Sequence, residues 1–197
     1  MKIRLIRHGE TIWQSERRYQ GSSDVPLSEE GKQKLFVADA LPDRLYVSAL
    51  KRASETAEIL FPKVEQIPVE GLNEMRFGRF EGKNYIEMER DEDYRKWVES
   101  GCMGKCPEGE SMDEFIERVS SAFLEIVRLA WKDQVEEIAI VAHGGTQMAV
   151  LSAFLEGEEN TDYFKLAAGC GEGYLLEVSD PFSKRFLKLI GHCSYTR

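Results

Sequence analysis

The chain has 197 residues, 42% of them hydrophobic, which is enough to bury one good core. A 31% charged fraction and 10% aromatic residues describe a folded chain and exclude a disordered one. With 35 acidic against 26 basic residues the formal net charge is -9, which excludes general affinity for nucleic acid or an anionic membrane. Anion binding is then expected only where arginines are locally concentrated.

In chain order, residues 3–6 form a short β-rich run ending at Arg7-His8-Gly9. Ser28 precedes Glu29 and Glu30, an N-cap and acidic first turn for a helix expected over 28–41. A second β-rich run, 44–47, ends at Ser48, which is expected to cap a helix running to Leu60 and stopped by Pro62. Residues 85–100 suit a charged helix, and Gly101, Gly104, Pro107 and Gly109 then make a loop. The strongest helical pattern is 111–131, where Phe115, Val119, Phe123, Ile126, Val127 and Ala130 recur at three- and four-residue intervals. The run 138–142 ends at His143-Gly144-Gly145 and leads into a helix over 146–155. A hairpin is expected at the end, 174–178 and 186–190 around a Ser179-Asp180-Pro181 turn.

Short β-branched runs alternating with helices predict an α/β fold with three α/β/α layers and a mainly parallel sheet. We expect one domain over 1–197, monomeric or homodimeric, with a helical insertion or lid at 82–132, of which the block 82–110 itself reads as an insertion. Cys102, Cys106, Cys170 and Cys193 include no C-x-x-C pair, so free thiols are expected rather than a zinc site. The opening MKIRLIRHGE reads as no signal peptide, and no apolar run reaches the ~18 residues of a span, so a cytoplasmic location is expected.

Two of the three histidines, His8 and His143, follow an apolar strand and precede glycine. In a parallel sheet the carboxyl ends of the strands share one edge, where ligands bind. The two imidazoles are therefore expected to face each other across one cleft. His192 has no such context. Arg7 adjoins His8, and Arg52 lies in the first turn after the second strand, so both point to the same edge. Guanidinium forks pair with phosphate oxygens, and the helix after Gly145 offers orphan amides and a positive dipole. Together these groups suit a tetrahedral dianion.

The ordered set of motifs resembles the histidine phosphatase superfamily, the phosphoglycerate mutase-like fold. It comprises Leu5-Ile6-Arg7-His8-Gly9-Glu10-Thr11, Gln20-Gly21, Asp24-Val25-Pro26-Leu27-Ser28-Glu29-Glu30-Gly31 and 48–57. It continues through Leu72-Asn73-Glu74-Met75, Glu81-Gly82, Pro107-Glu108-Gly109-Glu110-Ser111 and Ala142-His143-Gly144-Gly145. The resemblance implies that His8 is a nucleophile that becomes phosphorylated, since a neutral imidazole is available near pH 7. It implies that Arg7, Arg52 and His143 bind the phosphoryl oxygens, His143 best as a cation facing the dianion. It implies that Glu74 protonates the leaving alkoxide and then takes a proton from water. Thr11, Gln14, Gln20, Gly21 and Gly144 are further phosphate- or substrate-binding candidates. Gln14 is a departure, because the family usually has asparagine there.

The resemblance implies a metal- and cofactor-independent phosphatase acting on a small-molecule phosphate ester. The compact length and the Phe80-Glu81-Gly82 and 107–111 elements look most like α-ribazole phosphatases and broad-specificity relatives. Mutases of the family carry a longer insertion with an arginine pair, and 82–110 has no adjacent pair. Three alternatives remain: a phosphoglycerate mutase, a non-catalytic phospholigand-binding module, and a metallohydrolase using both histidines.

Overall fold

Alternation along the central strands sends successive side chains to opposite faces, and both faces are apolar. This is the pattern of a sheet covered by helices on each side. The computed structural model describes residues 1–157 and 162–197. Among these, six strands form one sheet: β1 (Lys2–Arg7), β2 (Arg44–Ser48), β3 (Gln66–Val69), β4 (Glu137–Ala142), β5 (Glu172–Val178) and β6 (Leu187–Ser194). Their order is β3-β2-β4-β1-β5-β6. The pairs β3–β2, β2–β4 and β4–β1 are parallel, whereas β5 runs antiparallel to β1 and β6 antiparallel to β5. The sheet is thus mostly parallel, as expected, with the terminal hairpin closing one side.

Ile3, Leu5, Tyr46, Ile138, Ile140 and Ala142 enter the larger core with α5 (Met112–Lys132) and α6 (Gly144–Phe154). Ile6, Leu45, Val47, Ala139 and Val141 face the other way, onto Ala53, Ala57 and Leu60 of α3 (Lys51–Leu60). A capping box fixes the start of α5: Ser111 Oγ accepts the Glu114 amide, and the Glu114 carboxylate accepts the Ser111 amide. The short edge strand β3 tolerates Pro68, which has no donor to give a ladder.

Several boundaries differ from the sequence reading. The helix expected over 28–41 is only α2 (Glu29–Lys34). Leu35 turns extended, bridges Thr196 and buries itself, because pairing with the C-terminal strand end satisfies backbone that a longer helix would withhold. Ser48 does not cap α3, whose N-cap is Leu50 without a side-chain bond; its hydroxyl is used elsewhere. The charged helix over 85–100 shrinks to α4 (Glu92–Glu99), because Asp91 accepts the Asp93 and Tyr94 amides and starts the helix there. Within the stretch expected as an insertion, 82–132, Met88, Tyr94, Trp97 and Cys106 join the same buried cluster as Phe115, Val119, Phe123 and Val127 of α5. The helix after His143 begins at once, at Gly144.

Phe123 is fully buried and stacks on Phe154 and Phe186, with ring centroids 5.6 and 6.5 Å away. Phe123→Ala should lower unfolding stability by roughly 3–5 kcal/mol, read from the midpoint of denaturant unfolding at unchanged slope.

Candidate active site

Strand register brings the two histidines together. Arg7 of β1 pairs with Ala142 of β4, and the His8 amide donates to the Ala142 carbonyl at 2.9 Å. The next residue on each strand is a histidine. Their rings meet edge-on with centroids 5.1 Å apart, and both are buried.

His8 has a defined tautomer. Its Nδ1 lies 2.7 Å from the Gly9 carbonyl oxygen, which can only accept, so Nδ1 carries the proton and Nε2 keeps its lone pair. Gly9 is itself held: its amide donates to Thr56 Oγ1 at 2.9 Å, and that hydroxyl donates to the Arg52 carbonyl at 2.6 Å. Burial, then the charges of Arg52 and Arg7, hold the His8 imidazole well below its ordinary value, against the opposing pull of the Gly9 carbonyl. His8 is therefore neutral at pH 7.

Both nitrogens of His143 are also engaged. Arg52 Nε donates to Nδ1 at 3.3 Å, and Nε2–H donates to Ser48 Oγ at 2.7 Å. The Ser48 hydroxyl in turn donates to Asn73 Oδ1 at 2.8 Å. Burial, Arg52, His8 and Arg7 lower the His143 imidazole well below its ordinary value. The protein's own groups therefore favour a neutral ring. The cation expected from sequence depends on an incoming dianion offsetting Arg52 and Arg7.

Arg52 is fully buried at the start of α3. Its terminal nitrogens donate to the Ser23 and Gly21 carbonyls at 2.9 and 2.8 Å. Burial pushes its guanidinium down to about 10, with Glu74 and Asp24 pulling the other way, so it stays charged at neutral pH. The 21–23 turn is tied down by Glu81, whose carboxylate accepts from the amides and hydroxyls of Ser22 and Ser23. Gly21 thus serves through its carbonyl. A Cβ there would overlap the Met75 carbonyl, so no larger residue fits. Arg7 donates to the Ala168 carbonyl at 2.9 Å, and its Nε is buried with no partner among the described residues. Its guanidinium lies against Gly144.

The remaining candidates separate. Gln14 accepts the Thr11 amide at 3.0 Å through its side-chain oxygen, closing a capping box on α1 (Ile12–Ser15). The extra methylene of glutamine is used to span this cap. Thr11 is buried and donates to Gln20 Oε1 at 2.6 Å, which leaves Gln20 Nε2 buried without an acceptor among the described residues. Of the two amides, Gln20 is the one whose unpaired donor is buried.

Glu74 caps α6 from a distance: Oε2 accepts the Gly145 amide at 3.1 Å and Oε1 accepts the Met75 amide at 3.0 Å. A Cβ at Gly145 would overlap Glu74 Oε1, so this glycine makes room for the carboxylate. The 71–74 turn is clamped by Arg118, which donates to the carbonyls of Gly71, Asn73 and Glu74. Arg118 also forms a fork on Glu110, both bonds 2.9 Å. Burial raises the Glu110 carboxyl, but Arg118, the Arg76 amide and the Arg76 charge outweigh it and hold it below the usual range. Sequence reasoning missed Ser48, Thr56, Asn73, Glu81, Glu110, Arg118 and Gly145 as positioning residues. All of these but Arg118 lie within the motifs themselves, where the signal was present.

On the other side of Glu74 opens a cavity of about 220 Å³. Its walls include Tyr19, Phe77, Trp97, Phe115, Met148 and Tyr163. Among the described residues no group of three or more His, Cys, Asp or Glu is arranged to hold a metal ion. None of the described helices is long and apolar enough to cross a membrane.

This arrangement has known counterparts. Residues 3–180 match the histidine phosphatase superfamily (branch 1), and the chain belongs to it. Members of that superfamily are generally phosphatases or mutases. The chain is 35% identical over 156 residues to phosphoglycerate mutase-like protein 4 of Arabidopsis thaliana, a match covering 73% of this chain. It spans 61–66% of the length of the curated relatives it matches. The α-ribazole phosphatase of Shigella flexneri has a similar structure, with TM-score 0.77 at 25% identity over 95% of this chain and 96% of that one. YhfR of Bacillus stearothermophilus aligns with TM-score 0.75 at 28% identity over 98% of each chain.

Two outcomes follow from the site's electrostatics. The unfolded chain protonates its histidines near the ordinary value of ~6.5, whereas folded His8 and His143 resist protonation. Their contribution to stability is therefore intact above about pH 6.5 and is lost as pH falls toward their lowered values, which unfolding midpoints across that range will show. Glu110→Ala strands Arg118 beneath the 71–74 turn and should cost about 3 kcal/mol, toward the low end for a broken buried pair because Arg118 is partly exposed.

Proposed function

We propose that this chain is a phosphomonoesterase that works through a phosphohistidine on His8. The observation that carries the reading is the His8 tautomer, which leaves Nε2 as a free lone pair among Arg7, Arg52 and His143. In the first step Nε2 attacks phosphorus, the N–P bond forms and the ester P–O bond breaks. With the ester bound, a proton carried by Glu74 passes to the departing alkoxide. In the second step water attacks the phosphohistidine, the N–P bond breaks, and Glu74 takes the water's proton. Inorganic phosphate leaves and Glu74 is again protonated.

The positive charge is concentrated where the transferring group gathers negative charge. Arg7 Nε and Gln20 Nε2 are buried donors awaiting an acceptor, and a phosphoryl oxygen satisfies each. Arg52 has hydrogens to spare beyond its three protein bonds. Binding of the dianion favours protonation of His143, turning Nδ1 from acceptor to donor toward the phosphoryl group. Thr11 and Gly21 act by holding Gln20 and Arg52, Gln14 by capping α1, and Gly144 by making room for Arg7.

A phosphatase fits better than a mutase, because the cavity beside Glu74 has no lysine or arginine in its described lining to grip a glycerate carboxylate. Among specific substrates, α-ribazole 5'-phosphate is the one we put forward, on the likeness to the Shigella flexneri enzyme.

Single-turnover reaction with a 32P-labelled ester, quenched without acid, should yield an acid-labile phosphoprotein. Labelling should vanish in His8→Ala; a label that persists there would overturn the reading. Glu74→Gln should slow turnover of alkyl esters by about 10²–10⁴-fold, and esters of acidic phenols far less, since those leave without a proton. Equal losses for both ester types would remove Glu74 from the proton transfer.

A further inference from the structure

The cavity next to Glu74 differs in character from the phosphoryl cluster. On one side of the carboxylate stand the buried Arg52 guanidinium, the half-buried Arg7 and two buried histidines. On the other, the walls are aromatic rings and methionines. Tyr19 packs edge-on against Phe77 and Trp97, with centroids 5.2 and 5.7 Å apart, and Phe115 closes on Gly145 from below. Glu74 belongs to both compartments: it accepts the Gly145 amide two residues from His143, and it lines the cavity. The volume, about 220 Å³, falls below the ~300–1,000 Å³ of pockets for drug-sized ligands, so it suits one compact ring system.

One polar atom in these walls is unaccounted for. The Tyr163 hydroxyl is buried and has no hydrogen-bond partner among the described residues. Tyr163 opens a short 3-10 helix, Tyr163–Leu166, that packs on α6, and its ring lines the same cavity as Glu74. A buried donor without an acceptor costs about 1–3 kcal/mol, so this hydroxyl favours an acceptor within the cavity, from water or from a bound molecule. Burial and the nearby Glu74 carboxylate push the phenol up, so it remains a donor at neutral pH.

We propose that this cavity is the leaving-group subsite, that it selects esters of uncharged alcohols bearing a flat apolar ring, and that the Tyr163 hydroxyl donates to an acceptor on that ring. The inference rests on the phosphohistidine reading for the position of the ester. An anionic alcohol such as glycerate would enter an apolar chamber with no counter-charge, which is costly. Aromatic lining instead gives a flat ring offset and edge-on partners. Phe164, at the rim and 54% exposed, adds wall area without contributing to the core.

The test compares primary alkyl esters, so that the chemistry of departure is matched. 2-Phenylethyl phosphate should exceed glycerol 3-phosphate and 3-phosphoglycerate in kcat/KM by at least about tenfold. Phe164→Ala should lower the first by about threefold to tenfold and leave glycerol 3-phosphate unchanged. In mildly alkaline buffer, where a pyridine ring is uncharged, one of the three 2-pyridylethyl phosphates should outperform the phenyl ester. Tyr163→Phe should erase that advantage, about two- to tenfold and carried in KM, without changing the phenyl ester. If glycerol 3-phosphate or 3-phosphoglycerate labels His8 faster than the aromatic ester, the subsite assignment is wrong while the phosphohistidine reading stands. If no ester labels His8, that underlying reading fails. A Tyr163→Phe effect equal on all esters would remove the hydroxyl from ring recognition.

Discussion

The bond from His8 Nδ1–H to the Gly9 carbonyl governs the site. An imidazole has two nitrogens, and a fixed donor bond at one makes the other a nucleophile with a defined direction. This bond uses the residue's own neighbour, so the fold must immobilise Gly9 rather than supply a separate acceptor. Thr56 does so from α3, and its hydroxyl reaches back to the carbonyl of Arg52. The same helix therefore orients the nucleophile and carries a buried guanidinium. Displacement of α3 would disturb both.

Electrostatics and burial act together. Two arginines beside two histidines would be costly if all four were charged. Removing the imidazoles from water keeps them neutral and leaves the positive charge on the groups that can hold it. Arg52 is held by carbonyls and a ring nitrogen and forms no direct ion pair among the described residues, although Glu74, Asp24 and Glu81 act on its charge from nearby. The nearby carboxylates are assigned to structure: Glu81 pins the 21–23 turn, and Glu110 holds Arg118 beneath the turn that presents Glu74. A chain of net charge -9 can thereby offer a locally positive pocket to a phosphate ester.

What the sequence disclosed follows from what is local. The sheet, its layers and the meeting of His8 with His143 were legible because a strand followed by His-Gly occurs twice, and parallel strands end at one edge. Arg52 was legible from its place one turn into a helix. Helix ends were less so. The stretch after Lys34 retains helical composition, yet Leu35 leaves the helix to pair with Thr196, a contact 161 residues away that no local pattern encodes. The positioning residues were hidden for the same reason. Arg118 reads as one charged position on an amphipathic helix until Glu110 and the 71–74 carbonyls converge on it. Tyr163 reads as an ordinary aromatic until its hydroxyl is found without a partner. Gln14 was weighed as a phosphate ligand, and the cap it forms with Thr11 shows why a longer amide suits that position.

The account turns on which imidazole nitrogen of residue 8 meets phosphorus. Trapping the phosphoprotein and resolving its linkage by 31P–15N correlation, with 15N-labelled histidine, reads this directly. The tautomer predicts a single species phosphorylated at Nε2 of His8. A phosphate on Nδ1, or on His143, would contradict it.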